Sequence, residues 1–271
     1  MTQTTTTGRR PIDVLKDLRL VRRELRYEQL SFWRNPQMAL FTVVFSLIFL
    51  VILAATAGSV RVSYLGGVKA IQYYVPGLMA YGVIAACFTM LAINLVNRRE
   101  GGLLKRLRLS PLPAWALLAA IFGSMLIVVV VQVALMLIVG ALAFGVHLPG
   151  HPGDGAALGF SLLVGVLSFT ALGVAMSTLV PNADSAGPII ATVFFILLAL
   201  SGFWFPLPSG SVLSRVSTWF PFRHFILALF AAFSPQAGSP WAWGDQRDVA
   251  IWGAAACIVA IRRFRWAPSR N

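Results

Sequence analysis

The sequence predicts an all-α membrane protein with six transmembrane helices. The 271 residues are 58% hydrophobic, with a mean hydropathy of +0.79, whereas soluble domains are about 45–50% apolar even with glycine counted. The few charged residues, 11% of the chain, lie mostly between long apolar runs. Each run has the roughly 20 residues that a helix needs to cross a bilayer. The six runs lie at 38–57, 75–96, 114–145, 157–180, 186–206 and 246–264.

Two of these runs differ from the others. The third, at 114–145, is longer than a bilayer requires, so we expect it to tilt or to project from the membrane. The sixth, at 246–264, is the least apolar, because Arg247 and Asp248 lie at its start. We expect these two charges to lie at its outer end.

The positive charges predict the orientation of the chain. If the N-terminus is inside, seventeen of the 22 Lys and Arg residues lie in inner segments, as the positive-inside rule requires. The remaining five are Arg61, Lys69, Arg215, Arg223 and Arg247. We therefore expect both termini in the cytoplasm. The same rule accounts for the net charge of +13 without any nucleic-acid partner.

A charged segment at 12–34 precedes the first span and repeats its apolar residues at helical spacing. It is too charged to span, so we expect an amphipathic connecting helix on the inner membrane surface. Phe32 and Trp33 would mark the headgroup level, and Pro36 would end the helix. The predicted domains are thus a tail and interfacial helix, 1–36, and a transmembrane domain, 37–271. The apolar face comprises Val14, Leu18, Val21 and Leu25.

The segment after the fifth span is rich in proline and aromatic residues, yet its apolar residues share a helical face. This pattern predicts short re-entrant helices at the outer surface over 207–233, before the last span. The residues of that face are Val212, Leu213, Val216, Trp219 and Phe220.

No catalytic or metal-binding set is predicted. His147 and His151 lie in a Gly/Pro-rich loop without a third ligand, and Cys87 and Cys257 are expected to be small core residues. No lysine lies in the G-x-x-x-x-G-K-[ST] pattern of a phosphate-binding loop. The spans carry only uncharged polar residues, which disfavours ion coupling. Such residues can tie helices together or line a substrate route. The candidates for that route are Thr89, Asn94, Thr192 and Ser201.

The loop at 97–111 concentrates charge between two spans. Leu103, Leu104 and Leu107 share one helical face, and Pro111 ends the segment. An apolar centre with a charged rim is typical of a protein interface, so we predict a short docking helix parallel to the membrane. Membrane orientation alone would account for the arginines but not for the leucine face or for Glu100.

Residues 99–111 follow the pattern R-E-x-G-T-L-x-x-L-x-x-(S/T)-P, with Leu103 in place of threonine. The segment SGFWFPLP at 201–208 is similar to a second signature at the end of the fifth span. The order of connecting helix, six spans and outer helices is also similar. By these features the chain resembles the permease subunits of ABC-2 type transporters, which export drugs, lipids and polysaccharides. The family's later Asn-Pro is Phe220-Pro221 here.

The resemblance implies that 97–111 is a coupling helix that docks on a separate ATP-binding subunit, two of which would serve each complex. ATP and Mg would bind to that partner and no cofactor to this chain. A second permease copy or a related chain would meet this one along spans one, two and five, in the cytoplasmic membrane of a bacterium. The coupling residues would be Arg99, Glu100, Gly101, Gly102, Leu103, Leu104, Leu107 and Pro111. The connecting helix would contribute Val14, Leu18, Val21, Leu25 and Arg34.

The expected function is ATP-driven export of an amphipathic or lipid-like substrate. The alternatives are an ion-coupled secondary transporter and a membrane scaffold that transports nothing. The sequence leaves the substrate, the direction of transport and the choice between a homodimer and a heterodimer open.

Overall fold

A computed structural model of the chain describes residues 14–57, 60–62, 68–103, 114–203, 207, 210–233 and 239–263. These residues are almost entirely helical. Before the charged loop the elements are α1 (Val14–Trp33), α2 (Pro36–Ala39), a π-helical segment π1 (Leu40–Val44), α3 (Phe45–Ala57), the two-residue strands β1 (Arg61–Val62) and β2 (Val68–Lys69), α4 (Ala70–Ile84), π2 (Ala85–Met90) and α5 (Leu91–Glu100). After it come α6 (Ala114–Phe144), α7 (Pro152–Leu179), α8 (Ala183–Leu200), α9 (Val212–Ser217), α10 (Pro221–Phe233) and α11 (Trp243–Arg263).

Helix α1 is the predicted connecting helix, and it ends where the sequence indicates. The Asn35 side chain accepts hydrogen bonds from the backbone N–H groups of Gln37 (3.1 Å) and Met38 (3.3 Å), which caps α2. A cap of this kind satisfies donors that the first helical turn leaves unpaired. The Phe32 side chain is only 1% exposed and belongs to the protein core, whereas Trp33 is 43% exposed; the headgroup position of these two residues stays a prediction.

Among the described residues, five helical rods have the length and composition to cross a membrane. They are Pro36–Thr56, Ala70–Glu100, Trp115–Phe144, Pro152–Leu179 and Ala183–Leu200. Each overlaps a predicted span. The second rod lies at the centre of the bundle, since 89% of its most apolar stretch is buried, against 28% for the first rod and 22% for the fifth.

The predicted end of the fifth span at residue 206 is wrong. Helix α8 ends at Leu200, where the Ser201 hydroxyl donates to the Leu198 carbonyl (2.6 Å). Gly202 then adopts a φ of +80°, a conformation that glycine reaches at little cost. The local backbone therefore ends the helix although the sequence stays apolar.

The sixth predicted span corresponds to α11, whose 21 residues measure about 31 Å. Asp245, Arg247 and Asp248 make its first turns polar, and it is not among the five apolar rods. Helix α11 runs along α7, however, with Gly253 against Ser168 and the Gln246 amide donating to the Ser161 hydroxyl. Its passage through the membrane stays a prediction.

Helices α9 and α10 lie in the segment 207–233, where re-entrant outer helices are predicted; their place at the outer surface stays a prediction. Helix α10 buries Phe222, Phe225 and Leu229 in the core, each at most 1% exposed. Helix α9 instead exposes apolar side chains, with Val212 at 67% and Trp219, just after the helix, at 76% exposure. This surface has the composition expected of a segment in contact with lipid.

Candidate functional site

The stem of the charged loop is a helix end followed by a glycine turn. Helix α5 runs to Glu100, and Gly101 donates its N–H to the Asn97 carbonyl (2.9 Å). Gly102 has a φ of +71° and donates to the Arg99 carbonyl (3.2 Å). A residue with a side chain would be strained in this left-handed conformation. The two glycines therefore end α5 and turn the chain into the loop.

Arg98 joins this stem to the connecting helix. Its two terminal nitrogens donate to the two carboxylate oxygens of Glu28 on α1, at 2.5 and 2.9 Å. The same guanidinium also donates to Ser31 (3.1 Å) and to Asn94 (3.0 Å). The Arg98 and Glu28 side chains are only 12% and 6% exposed, so this bidentate ion pair is largely protected from water. It therefore fixes α1 to the end of α5.

Arg99 joins the stem to a different part of the bundle. It is 6% exposed and donates to the carbonyls of Ser177 (3.1 Å), Val180 (2.7 Å) and Pro181 (3.1 Å). These carbonyls lie at the end of α7 and in the turn to α8. The last carbonyls of a helix lack partners within it, and a cation is favourable at this end. Arg99 thereby caps α7 from the loop stem.

The residues beyond Arg99 are more accessible. Glu100 and Gly101 are exposed, Gly102 is half-buried and Leu103 is 44% exposed. Leu104, Leu107 and Pro111 of the predicted coupling helix lie outside the described residues. A docking contact through any residue of this set stays a prediction. Arg99, which is also predicted to dock on the partner, makes buried hydrogen bonds within this chain, to the end of α7.

The connecting helix packs on α6 rather than lying apart from the bundle. The Gln29 amide donates to both the carbonyl (2.8 Å) and the hydroxyl (2.9 Å) of Ser124. Val21 and Leu25 are half-buried and Arg34 is exposed. The side chains of Val14 and Leu18 lie outside the described part of the chain.

A second carboxylate on α1 lies near the ion pair. Burial raises the pKa of Glu24, and the negative charge of Glu28 raises it further, while Arg98 and Arg23 lower it. Helix α1 therefore presents two carboxylates one turn apart to the same arginine. Protonation of Glu24 would leave the single full charge of Glu28 opposite Arg98.

The four residues predicted to line a substrate route have separate surroundings. Thr89 is buried in π2 with no hydrogen-bond partner for its hydroxyl. Asn94 belongs to the Arg98 network. Thr192 is exposed on α8, and Ser201 is buried at the end of that helix. A route along these residues stays a prediction.

The ion pair between Arg98 of the stem and Glu28 of α1 was missed by reasoning from the sequence. The sequence places Arg98 among the inner positive charges and in the charged rim of the predicted docking helix, and Glu28 on the polar face of α1. The sequence does contain a clue, which is the carboxylate of Glu28 on a helix rich in arginine. If that helix packs against the bundle, the carboxylate becomes buried and needs a positively charged partner. Within the described residues no group of three His, Cys, Asp or Glu side chains could hold a metal ion.

Comparison with known proteins agrees with this architecture. Residues 19–233 match the ABC-2 type transporter family. The chain is 27% identical over 155 residues to a Bacillus subtilis (strain 168) protein named as a transport permease, YvfS, covering 56% of this chain and 62% of that protein. It is 26% identical over 194 residues to an Escherichia coli (strain K12) protein named as a multidrug ABC transporter permease, YbhR, covering 71% and 52%. The chain thus spans less than two thirds of the length of these relatives.

The family match covers most of the chain and includes the connecting helix, the loop stem, the five apolar rods and the outer helices. The match to a transporter family accords with the multi-pass helical bundle. The matched residues also contain the stem that joins the charged loop to α1 and α7. The chain belongs to the ABC-2 type transporter family and is a multi-pass membrane protein.

Proposed function

We propose that this chain is the permease of an ATP-driven exporter and that a separate ATP-binding subunit docks on its charged loop. The observation that carries the proposal is the pair of consecutive arginines at the stem. Arg98 binds α1 and Arg99 binds the end of α7, while Glu100 and Leu103 are exposed beside them. A surface held on both sides by buried charged contacts can transmit a force from a partner to the bundle.

The mechanism follows from these contacts. A partner that moves the loop would pull α1 through the Glu28–Arg98 pair and the α7–α8 turn through Arg99. Helix α1 would pass the motion to α6 through Gln29 and Ser124. ATP and Mg would bind to the partner, two copies of which would serve each complex. The loop and both termini would lie in the bacterial cytoplasm.

Of the three spans predicted to meet a second permease copy or a related chain, the first, second and fifth, only the first and fifth would form this contact. Both rods are poorly buried, whereas the second is enclosed. On the first rod Leu40, Val44 and Ile48 form an exposed stripe at four-residue spacing. On α8 Phe195 and Ile196 are 49% and 54% exposed. The substrate would be amphipathic or lipid-like, in keeping with spans that are apolar and uncharged.

The test is co-purification of this chain with the ATP-binding subunit encoded beside it, followed by ATPase and transport assays in proteoliposomes. Replacing both Glu100→Ala and Leu103→Ala should weaken the complex and lower ATP-dependent export. The control is Arg215→Ala, an exposed residue on α9 at the far end of the bundle, which should leave both unchanged. Export driven by an ion gradient without ATP would contradict the proposal, as would a complex that the double variant leaves intact.

A further inference from the structure

A cavity of about 220 Å³ lies at the end of the bundle opposite the loop stem. It is lined by the first turns of α4, by the turn after α8 and by one face of α10. Gly77, on α4, is 21 residues before Arg98 on the same rod, which is about 32 Å of helix. The residues that matter for its chemistry are Tyr73, Phe203, Arg223, Leu227 and Phe230.

Arg223 is the cation of this cavity, and its charge is not neutralised by the described residues. One terminal nitrogen donates to the Ser217 hydroxyl (2.8 Å), while the buried Nε has no hydrogen-bond partner among the residues that the structure describes. None of the ion pairs among the described residues includes Arg223, because the nearby Asp245 and Asp248 pair with His224 and Arg247. A half-buried guanidinium without a counter-charge is unfavourable, and a bound anion would supply both the charge and the missing acceptor.

The other walls of the cavity are mainly aromatic and aliphatic. The Tyr73 and Phe230 rings meet edge to face at 5.3 Å, and Phe203 and Leu227 also line the space. Such walls favour an apolar group over a hydrated inorganic ion. A cavity of this size is smaller than the roughly 300–1,000 Å³ that enclose a drug-sized ligand. It therefore suits a head group and the adjoining part of a tail.

From these observations we infer that the cavity binds an anionic amphiphile, with the acidic head group paired to Arg223 and the apolar part against the aromatic wall. The ligand chemistry is a carboxylate, sulfate or phosphate joined to a hydrocarbon body. Two sources share this chemistry, a lipid of the surrounding bilayer and a molecule on its way out through the transporter. The second source rests on the proposed export function.

The experiment uses the full chain in lipid nanodiscs without any ATP-binding subunit, so that it does not depend on the proposed docking. The probe is a dansylated undecanoic acid, and its uncharged methyl ester is the comparison. We expect the acid to bind more tightly than the ester. Arg223→Gln should weaken binding of the acid about tenfold or more, which is the contribution of a charge-assisted hydrogen bond, and should leave the ester unaffected.

Three further variants sharpen the result. Arg215→Gln removes an exposed charge at the same end of the molecule and should not change the affinity. Arg223→Lys should retain part of the binding of the acid. Leu227→Trp should fill the cavity while Arg223 stays in place, and both probes should then be lost. This last variant serves as the test if Arg223→Gln does not fold.

Two bilayers distinguish the sources of the ligand. Nanodiscs of phosphatidylcholine alone are compared with nanodiscs of equal parts phosphatidylcholine and phosphatidylglycerol. Both measurements are made at high salt, which screens the repulsion between an anionic bilayer and the anionic probe. Weaker probe binding in the second bilayer would then identify a membrane lipid as the occupant, and equal binding would identify a transported anion. Equal affinity for acid and ester, or an Arg223→Gln variant that behaves like Arg215→Gln, would overturn the inference. Neither result would bear on whether the charged loop binds an ATPase.

Discussion

Arg98 and Arg99 are adjacent in the chain, yet they bind different neighbours. Arg98 faces a carboxylate on α1, and Arg99 faces backbone carbonyls at the end of α7. A buried charge that loses its partner destabilises a protein far more than an exposed pair stabilises it. The stem of the loop is therefore sensitive to the loss of any one of these partners.

We predict that Glu28→Gln or Arg98→Gln alone lowers the free energy of unfolding by about 3–5 kcal/mol, because each leaves a mostly buried charge unpaired. The double variant should be destabilised by less than the sum of the two. The measurement is a double-mutant cycle of unfolding in detergent micelles. Arg26→Gln, at an exposed position of the same helix, is the control. Strictly additive effects of the two changes would show that the pair contributes no coupling.

His224 forms a second polar link, between α10 and α11. Its ring nitrogens lie 2.7 Å from an Asp245 oxygen and 2.8 Å from the Thr218 carbonyl. Two acceptors require a proton on both nitrogens, which favours the cationic ring. The hydrogen bond to Asp245 raises the pKa of His224, assisted by Thr218 and the charges of Asp245 and Asp248, while burial lowers it.

This raised pKa predicts how the link depends on pH. Its contribution to stability is present in full below pH 6.5, the ordinary pKa of histidine, and is lost as the pH rises through the raised value. The melting temperature should therefore fall from mildly acidic to alkaline pH. A His224→Gln variant, which cannot gain the proton, should lack this part of the pH dependence. Identical pH profiles for the two proteins would contradict the assignment.

At the scale of elements, the packing of α11 on α7 decides how the last helix is held. A Cβ on Gly253 would lie 2.8 Å from the Ser168 Cα, so the two backbones approach as closely as small residues allow in membrane bundles. Phe220, just before α10, stacks on Trp252 of α11. The last helix is therefore placed by backbone contact with α7 and not by hydrophobicity alone.

Gly253→Ala should lower the free energy of unfolding by about 1–3 kcal/mol, since the added methyl group must push the helices apart. Gly244→Ala is the matched control, because a Cβ at that position of the same helix meets nothing within 4 Å. It should leave stability unchanged or raise it slightly through helix propensity. Both values come from thermal unfolding of the purified chain. An equal response of the two variants would show that the close contact is unimportant.

At the scale of the whole molecule, the direction of the chain through the membrane determines on which side of the membrane the loop stem and the Arg223 cavity lie. In the part of the chain that the structure describes, five rods are apolar enough to span, and α11 has the length of a sixth. If all six cross, both ends of the chain lie on the side of the charged loop.

Labelling with a membrane-impermeant maleimide tests this topology. The background is Cys257→Ser, because Cys257 is exposed, whereas Cys87 is buried and can stay in place. Gly244→Cys should react in intact cells, as should the reference Gly153→Cys at the start of α7. Arg263→Cys should react only after permeabilisation, because its helix would have carried it to the inner side. Labelling of Arg263→Cys from outside would show that α11 does not cross the membrane.

Much of this protein could be predicted from the sequence because the relevant signals are local. The spans, the amphipathic α1 with its end at Asn35-Pro36 and the outer helices α9 and α10 all follow from hydrophobicity and residue spacing within one segment. The error arose where a single backbone conformation decided the outcome: α8 ends early because of the turn at Gly202. The burial of Phe32 in the core also depends on a neighbour, because α1 packs against the bundle.

What the sequence by itself determined is a helical membrane protein with a charged loop between its second and third spans. These properties depend on transfer of apolar side chains into lipid, which is additive along the chain. Only the tertiary structure decided that Arg98 binds a residue 70 positions away and that Arg99 caps the end of α7. It also left Arg223 without a counter-charge among the described residues. Such pairings depend on which helices are neighbours, and neighbours in space leave no periodic signal in the sequence.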